Sequence, residues 1–194
     1  FNAARAVVEF TGVNVHPGSS KNTMVNAALV AIEFNSMLPS ADTPRDTEEY
    51  EGFFHLDAMN GNVSTAMLDY IIRDHDVASF DCRLKTMEHI AKILNEKWGE
   101  GTVKLTITEQ YRNMKEIIDT CMELIDCATA ACKECGTPAL ITPIRGGTDG
   151  ARLSFMGVPC PNLGTGGHAF HGPYEHITVE GMDIAVEVGL KIIE

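Results

Sequence analysis

The feature that most constrains the fold is an amphipathic pattern over residues 80–98. Apolar side chains recur there every three or four positions, at Phe80, Leu84, Met87, Ala91, Leu94 and Trp98. This spacing puts them on one face of an α-helix, and Gly99 is the residue type that most often follows a helix end. Because one apolar face must be buried, the sequence predicts a helix that packs on another layer.

Strand-like and helical segments surround this helix in a definite order. They are residues 4–16 (strand), 22–38 (helix), 52–59 and 62–74 (strands), 80–98 (helix) and 101–110 (strand). Asn60-Gly61 favours a type I′ hairpin turn. The first helix has its apolar spacing at residues 25, 28, 29 and 32. The order β-α-β-β-α-β predicts an α+β fold over residues 1–112, a ferredoxin-like antiparallel sheet with two helices on one face.

The pattern changes after Tyr111. One long helix with apolar residues from Met114 to Ala128 is predicted, then strand-like pieces at 139–144 and 159–164. A final helix from about Thr178 should bury residues 182, 185, 186, 189 and 193. These elements are too few to enclose an α/β core, so residues 113–194 are predicted to be an incomplete domain. A chain that opens in mid-strand on Phe1 is expected to be a piece of a longer protein.

Composition excludes some partners. The net charge of −12 argues against nucleic acid and anionic lipid, which both need a basic face. No apolar run approaches the roughly 18–20 residues of a membrane span. Cys132 and Cys135 have C-x-x-C spacing, but no second pair completes a zinc site. Ordinary reduced thiols in a reducing compartment, the cytoplasm, are the first interpretation, and a metal or redox role is the alternative.

Two arginines and a glycine-rich loop are candidates for binding an anion. Arg145 precedes Gly146-Gly147, whose backbone can approach a ligand, and Asp149 is expected to cap the helix that follows. The planar guanidinium can hold a carboxylate at two points. Arg73 ends a strand. From spacing alone, a surface arginine beside a turn and a solvated strand-edge arginine are the alternatives.

Histidines are the other candidates. His16 ends a strand before Pro17-Gly18 and could donate a hydrogen bond to a developing oxyanion, or be a surface histidine. His168, His171 and His176 lie in one glycine-rich loop. A metal site made of all three histidines is less expected than a site in which one of them is a single ligand and the other ligands come from elsewhere. Asp74-His75-Asp76 places a histidine next to carboxylates and looks like a metal motif, which we interpret as a chance match.

Longer stretches carry a family resemblance. They are NVHPGSSKNTMVNA, EGFFHL, YIIRDHD, IRGGTDGARLSFMGVPCPN, GTGG and HGPYEH followed by VEGM. In combination they resemble the di-zinc metallopeptidase family of tripeptide aminopeptidases, aminoacylases and succinyl-diaminopimelate desuccinylase, with the tripeptide aminopeptidases nearest. The resemblance spans the whole chain but only about the C-terminal half of a family member. It implies that residues 1–112 are a lid or dimerisation domain and that residues 113–194 are the C-terminal part of an α/β zinc-exopeptidase catalytic domain.

The resemblance also implies roles for single residues. His171 matches the family's last zinc ligand, and His16 matches a lid histidine that polarises the scissile carbonyl, in some relatives from the partner subunit. Arg73 and Arg145 match arginines associated with the substrate's C-terminal carboxylate. Thr148 and Asp149 lie in the loop that lines the site. This chain departs from the family at His168, where an aromatic is expected, and at Pro173, where a basic residue is expected.

The implied parent protein is a cytoplasmic, homodimeric, two-zinc aminopeptidase that releases the N-terminal residue of tripeptides. The other ligands and the general-base glutamate precede the lid in the family, so this chain alone is expected to be inactive. A two-metal site holds its ions about 3.5–4 Å apart by shared carboxylates, which one histidine cannot do. The alternatives are a sister exopeptidase, either a dipeptidase or a carboxypeptidase, and a non-catalytic small-ligand or dimerisation module.

Overall fold

The computed structural model describes residues 1–194 as two compact units. The first unit contains Phe1–Asn113 and Arg145–Gly147, and the second contains Met114–Ile144 and Thr148–Glu194. The regular elements of the first unit are β1 (Asn2–Thr11), α1 (Ala27–Ser36), β2 (Phe53–Gly61), β3 (Thr65–Asp74), α2 (Val77–Trp98) and β4 (Val103–Tyr111).

The four strands of the first unit form one sheet in the order β2-β3-β1-β4. Every neighbouring pair is antiparallel. Because β1 lies between β3 and β4, the chain must cross over the sheet twice, and α1 and α2 make those crossings. The predicted ferredoxin-like α+β fold is confirmed for this unit.

Alternation along β1 explains which face of the sheet is covered. Ala4, Val8 and Phe10 are buried on the helix side, whereas Arg5 and Glu9 point to the open face. The predicted apolar face of α2 packs on this side, and Phe80, Met87 and Leu94 are fully buried. Asp76 caps the start of α2 by accepting from the Ser79 N–H, and Gly99 follows its end at φ +110°. The core of the unit therefore lies between the sheet and its two helices.

The loop after β1 begins earlier than the sequence pattern predicted. The strand ends at Thr11 rather than near His16, because the Gly12 N–H turns to the carbonyl of Ser64. Val13 then makes an isolated bridge with Val25. His16 consequently projects from a loop that continues into a short 3-10 turn.

The hairpin turn is also displaced from the predicted site. β2 continues through Asn60 and Gly61, and the connection is made by residues 62–64. The side-chain oxygen of Asn62 accepts from the N–H groups of Ser64 and Thr65. The asparagine after the glycine makes the turn, so the type I′ prediction at Asn60-Gly61 was wrong.

Helix α1 buries a different face from the predicted one. Ala27, Val30, Ala31 and Phe34 are buried. Leu29 and Ile32, on the predicted face, are 62% and 53% exposed. The helix has apolar residues around most of its circumference, so periodicity alone could not choose between the two faces. An apolar strip is left on the outside of the first unit.

The second unit is mostly helical. Its elements are α3 (Lys115–Ile118), α4 (Glu123–Glu134), α5 (Asp149–Phe155), β5 (Gly167–His168), β6 (His176–Ile177) and α6 (Val179–Ile193). The predicted long helix is broken, because residues 119–122 form a turn in which the Thr120 hydroxyl donates to the carbonyl of Ile117. The pieces 139–144 and 159–164 pair with no strand. No helix of either unit is both long and apolar enough to span a bilayer.

Helix α6 starts where predicted but leaves most of its apolar residues uncovered. Thr178 caps it, accepting from the Gly181 N–H. Only Val188 is buried, on the side that faces α4. The prediction that Met182, Val186 and Ile193 are buried was wrong. An exposed apolar stripe runs the length of the helix at Val179, Met182, Val186, Leu190 and Ile193.

Candidate functional site

Arg73 lies on the open face of the sheet, at the end where β1 begins. Its neighbour across the strands is Ala3, which is itself paired with Tyr111 on the other side. The guanidinium lies 5.3 Å from the centre of the Tyr111 ring, and its Nη1 donates to the carbonyl oxygens of Ile72 and Ala4 at 3.0 and 3.4 Å. Burial lowers the pKa of Arg73 and raises that of Tyr111. This packing fixes a cation at the sheet end.

Arg145 joins the same end of the sheet from the glycine-rich segment. Its guanidinium stacks over the rings of Phe1 and Phe53, at 5.4 and 5.5 Å, and Phe53 is the strand partner of Arg73. Gly147 follows so closely that a Cβ there would lie 2.5 Å from the Tyr111 hydroxyl. Only glycine fits at this position. We call Arg73, Tyr111, Phe53 and Arg145 the two-arginine cluster.

The donors of Arg145 are already occupied. Nη1 donates to the carbonyl oxygens of Glu49 and Glu51, at 2.9 and 2.8 Å. Nη2 donates to the carbonyl oxygen and the hydroxyl of Thr47, at 3.2 and 2.9 Å. All four Nη–H groups of Arg145 thus donate to the loop before β2. A carboxylate bound here would have to replace some of these acceptors.

The Asp74-His75-Asp76 triplet makes structural contacts. Asp74 pairs with Arg83 at 2.8 Å, and Asp76 caps α2. His75 lies 4.1 Å from the Phe1 ring, and its Nε2 is buried without a hydrogen-bond partner. Burial, followed by the positive charges of the amino terminus at Phe1 and of Arg145, lowers the pKa of His75 to about 4. The ring is therefore neutral at physiological pH.

His16 lies at the opposite end of the sheet from the two-arginine cluster. β1 pairs with β3 from Ala3 opposite Arg73 to Thr11 opposite Thr65. The eight steps from Ala3 to Thr11 span about 26 Å at the rise of a strand. The His16 ring is exposed, and its Nδ1 accepts from the N–H of Gly18 at 3.1 Å. Its Nε2 edge is thus free to meet a ligand.

In the second unit, Thr148 rather than Asp149 caps α5. Its hydroxyl accepts from the Ala151 N–H at 3.3 Å and from the Asn162 side chain at 3.2 Å. Asp149 is the first residue of the helix, so its predicted capping role was wrong. The extended backbone of Thr148, typical of a capping residue, explains the one-residue shift.

His171 lies at the tip of the β5–β6 hairpin. Its backbone has φ +62°, its N–H donates to the Glu175 carboxylate at 3.0 Å, and its side chain is exposed. No three His, Cys, Asp or Glu side chains in the chain gather into a group that could hold a metal ion. The residues present therefore do not fit a two-metal centre by themselves.

Tyr111 was missed by the sequence reasoning. It was treated only as the end of the last strand, yet its ring supports Arg73 and its hydroxyl abuts Gly147. The available signal was the ferredoxin-like order itself, because that topology makes β1 the shared neighbour of β3 and β4. An aromatic at the end of β4 must then lie near an arginine at the end of β3.

A family model described as peptidase dimerisation domain matches residues 1–102, which is more than half of the chain. The chain belongs to the peptidase dimerisation domain family. The match covers β1, α1, β2, β3 and all of α2, and it ends at Thr102, directly before β4. The dimerisation-domain part of the resemblance is thereby confirmed at the level of the family.

Curated relatives of this dimerisation-domain chain carry the name Peptidase T. The protein from Clostridium perfringens strain 13 is 54% identical over 194 residues, covering 100% of this chain and 48% of the relative. The protein from Alkaliphilus oremlandii is 51% identical, with 100% and 47% covered. The chain is therefore homologous to part of a peptidase and spans about half the length of these relatives.

Solved structures share the fold of the dimerisation-domain chain. A tripeptidase from Staphylococcus aureus matches with a TM-score of 0.80 at 19% identity, over 99% of this chain and 51% of that one. Aminopeptidase PepT from Bacillus cereus matches with a TM-score of 0.79 at 16% identity, over the same shares. At these sequence identities, the structural similarity is evidence for a shared fold alone.

Proposed function

We propose that this chain provides the lid and the C-terminal catalytic portion of a zinc-dependent, cytoplasmic aminopeptidase that releases the N-terminal residue of tripeptides. The observation that carries this proposal is the identity of about half its residues, over its whole length, with proteins named Peptidase T. The words tripeptidase and aminopeptidase in the names of the two structural neighbours agree with the substrate class.

The two-arginine cluster is the proposed recognition site for the far end of the substrate. Arg73 and Arg145 bring two positive charges to one end of the sheet, and the Phe53 and Tyr111 rings support them. A tripeptide carboxylate there would accept charge-assisted hydrogen bonds from Arg73, and from Arg145 once it displaces some of the loop acceptors that this guanidinium now holds. Because the distance from such a fixed carboxylate to the bond cleaved sets substrate length, these arginines would select tripeptides over longer peptides.

His16 is the proposed donor to the carbonyl oxygen of the scissile bond, from the partner subunit. A fully extended tripeptide is about 10 Å long, far shorter than the roughly 26 Å between the two ends of the sheet. One substrate cannot therefore contact His16 and Arg73 of the same chain. A homodimer that places the His16 loop of one copy beside the two-arginine cluster of the other resolves this conflict.

The outer side of α1 and the neighbouring edge strand are the proposed dimer surface. Leu29, Ile32 and Met59 are each at least half exposed, and β2 is an unpaired edge of the sheet. Met59 faces the helix side, since its strand partner Leu68 is buried there. We call Leu29, Ile32 and Met59 the α1–β2 edge. The occupant is a second copy of this chain, in keeping with the family description.

His171 is the metal ligand that this chain would supply. The remaining ligands would come from residues outside the chain, as its 48% share of the C. perfringens relative allows. The apolar stripe of α6 gives a physical reason for a missing partner, because a helix with two apolar sides is normally covered on both.

A chimera tests the proposal. The segment of C. perfringens Peptidase T that matches this chain is replaced by the chain itself, and hydrolysis of di-, tri- and tetrapeptides is followed by amino-acid release. We expect the chimera to release the N-terminal residue of tripeptides and the 194-residue chain alone to show no turnover. In the chimera, His171→Asn should reduce turnover at least 100-fold.

Circular dichroism and gel filtration establish that each variant is folded. A folded chimera without peptidase activity would contradict the proposed function, as would turnover by the isolated chain. Release of the C-terminal residue, or a preference for dipeptides, would instead assign the chain to a sister exopeptidase.

A further inference from the structure

His168 and His176 form a pair that the proposed function does not use. They lie opposite each other on β5 and β6. Their imidazole rings are stacked, with 5.3 Å between centroids and 26° between planes. Both side chains are exposed to solvent. Two parallel imidazoles on adjacent strands are a chelating arrangement, because one ion can reach a nitrogen of each ring.

The protonation of His176 suits metal binding. Its Nδ1 lies 2.8 Å from the carbonyl oxygen of Tyr174. A carbonyl oxygen can only accept, so Nδ1 carries the proton and the neutral ring keeps its lone pair on Nε2. Metal-binding histidines are usually oriented in this way, with one nitrogen donating to a carbonyl or carboxylate and the other bound to the metal.

The connecting loop holds the two strands in this register. The His171 N–H donates to the Glu175 carboxylate, and the Glu175 N–H donates to the carbonyl of Gly172 at 3.1 Å. The loop therefore closes on itself, and the strand ends that carry the two rings are fixed without an ion. A site that is already arranged loses little conformational entropy when it binds.

We propose that His168 and His176 form a two-ligand site for a borderline divalent transition-metal ion such as Zn²⁺, Ni²⁺ or Cu²⁺. Imidazole suits these ions, whereas Mg²⁺ and Ca²⁺ prefer oxygen. Two nitrogens bound to one ion at about 2.0–2.1 Å each lie roughly 3 Å apart, so both exposed rings would turn from their stacked positions toward the ion. No third ligand joins the pair, so water completes the coordination and the ion exchanges readily.

Imidazole NMR on the ¹⁵N-labelled 194-residue chain tests this site with Zn²⁺ as the probe. We expect the His176 Nε2 signal and one His168 ring nitrogen to shift together and saturate at one equivalent. His16, His55 and His89 should not change, and Mg²⁺ should shift nothing. Zn²⁺ taken up by any of the six cysteines would not obscure this readout, because only ring nitrogens are observed.

Two variants that replace one imidazole by another flat ring test the pair, and His171→Asn is the control. His168→Tyr and His176→Phe should each weaken Zn²⁺ binding at the remaining histidine about tenfold or more, since a single imidazole cannot chelate. His171→Asn should leave the site intact, which separates it from the metal ligand proposed above. Unchanged affinity in either ring variant, absence of any shift, or loss of binding in His171→Asn would overturn the site.

Discussion

At the scale of single residues, Arg145 shows how one side chain can order a loop. Its guanidinium collects three backbone carbonyls and one hydroxyl from Thr47, Glu49 and Glu51 while stacking on two aromatic rings. A lysine has a single ammonium and cannot spread its donors over so wide an arc. The loop before β2 therefore depends on the shape of the guanidinium as well as its charge.

Arg145→Lys is expected to loosen this loop although the charge is kept. The free energy of unfolding of the first unit should fall by about 1–2 kcal/mol, because several acceptors lose their donor. Hydrogen exchange of residues 47–53 and urea unfolding measure the effect. Arg45→Lys, an exposed change in the same loop, is the control and should alter neither. Equal protection in the two variants would refute the positioning role.

His75 should make the first unit sensitive to acid. Its pKa is about 4 when folded, below the value of about 6.5 in an unfolded chain, so the unfolded state takes up the proton first. Stability is then fully present above pH 6.5 and declines as the pH falls toward 4. After allowance for solvent screening, the loss is about 1–2 kcal/mol.

Urea unfolding at pH 7 and pH 4.5 tests this for the wild type and His75→Asn. The variant should have a flatter pH dependence, whereas exposed His89→Asn should follow the wild type. Parallel curves for wild type and His75→Asn would mean that other groups cause the acid sensitivity.

The sequence was enough to identify candidate residues, but not to identify which residues contact them in the fold. Both arginines and all three hairpin histidines stood out by their neighbours in the chain. Tyr111 did not, because its partners Arg73 and Gly147 are distant in sequence: the sheet register brings Arg73 to it, and the segment after Arg145 brings Gly147. The capping residue of α5 was misplaced by one position, since Thr148 and Asp149 are both good capping types.

At the scale of elements, two leucines on neighbouring helices separate burial from composition. Leu94 of α2 is fully buried, whereas Leu29 of α1 is 62% exposed. Leu94→Ala should cost about 2–5 kcal/mol of stability, because it removes buried methyl groups and leaves a cavity. Leu29→Ala should cost less than about 0.5 kcal/mol in the monomer. Chemical denaturation of both variants measures the contrast, and similar losses would contradict the α1 orientation.

The difference between α2 and α1 also explains where hydrophobic periodicity predicted the buried face of a helix correctly. Helix α2 has charged residues on its outer face, so its apolar face could be read from the sequence and its bounds followed. Helices α1 and α6 are apolar on more than one side, and a pattern of spacing cannot tell which side packs on its neighbouring elements and which side stays exposed. The Asn60-Gly61 turn failed for a local reason, since the Asn62 side chain captured the N–H groups that define the turn.

At the scale of the whole molecule, the α1–β2 edge predicts how two copies associate. Leu29→Glu combined with Ile32→Glu places two charges on the proposed surface and should convert a dimer to a monomer in sedimentation experiments. Val77→Glu is the control, because that residue is also about half exposed but starts α2, where an acidic side chain is favourable. A double variant that remains dimeric would place the interface elsewhere.

Mixing two inactive chimeras tests the shared site directly. Chimeras carrying His16→Ala or Arg73→Ala should each lose activity, and an equal mixture should recover roughly a quarter of the wild-type rate. Half of the randomly formed dimers are mixed, and each has one complete site of two. If both residues acted within one chain, no recovery would occur.

The length of β1 has a consequence for kinetics. It holds the His16 loop and the two-arginine cluster at opposite ends of one rigid sheet, so neither can approach the other by bending. If two copies share the site as proposed, specific activity should fall on dilution, with a midpoint at the dissociation constant of the subunits. Protein concentration would then act as an on–off control of peptide breakdown, without any effector.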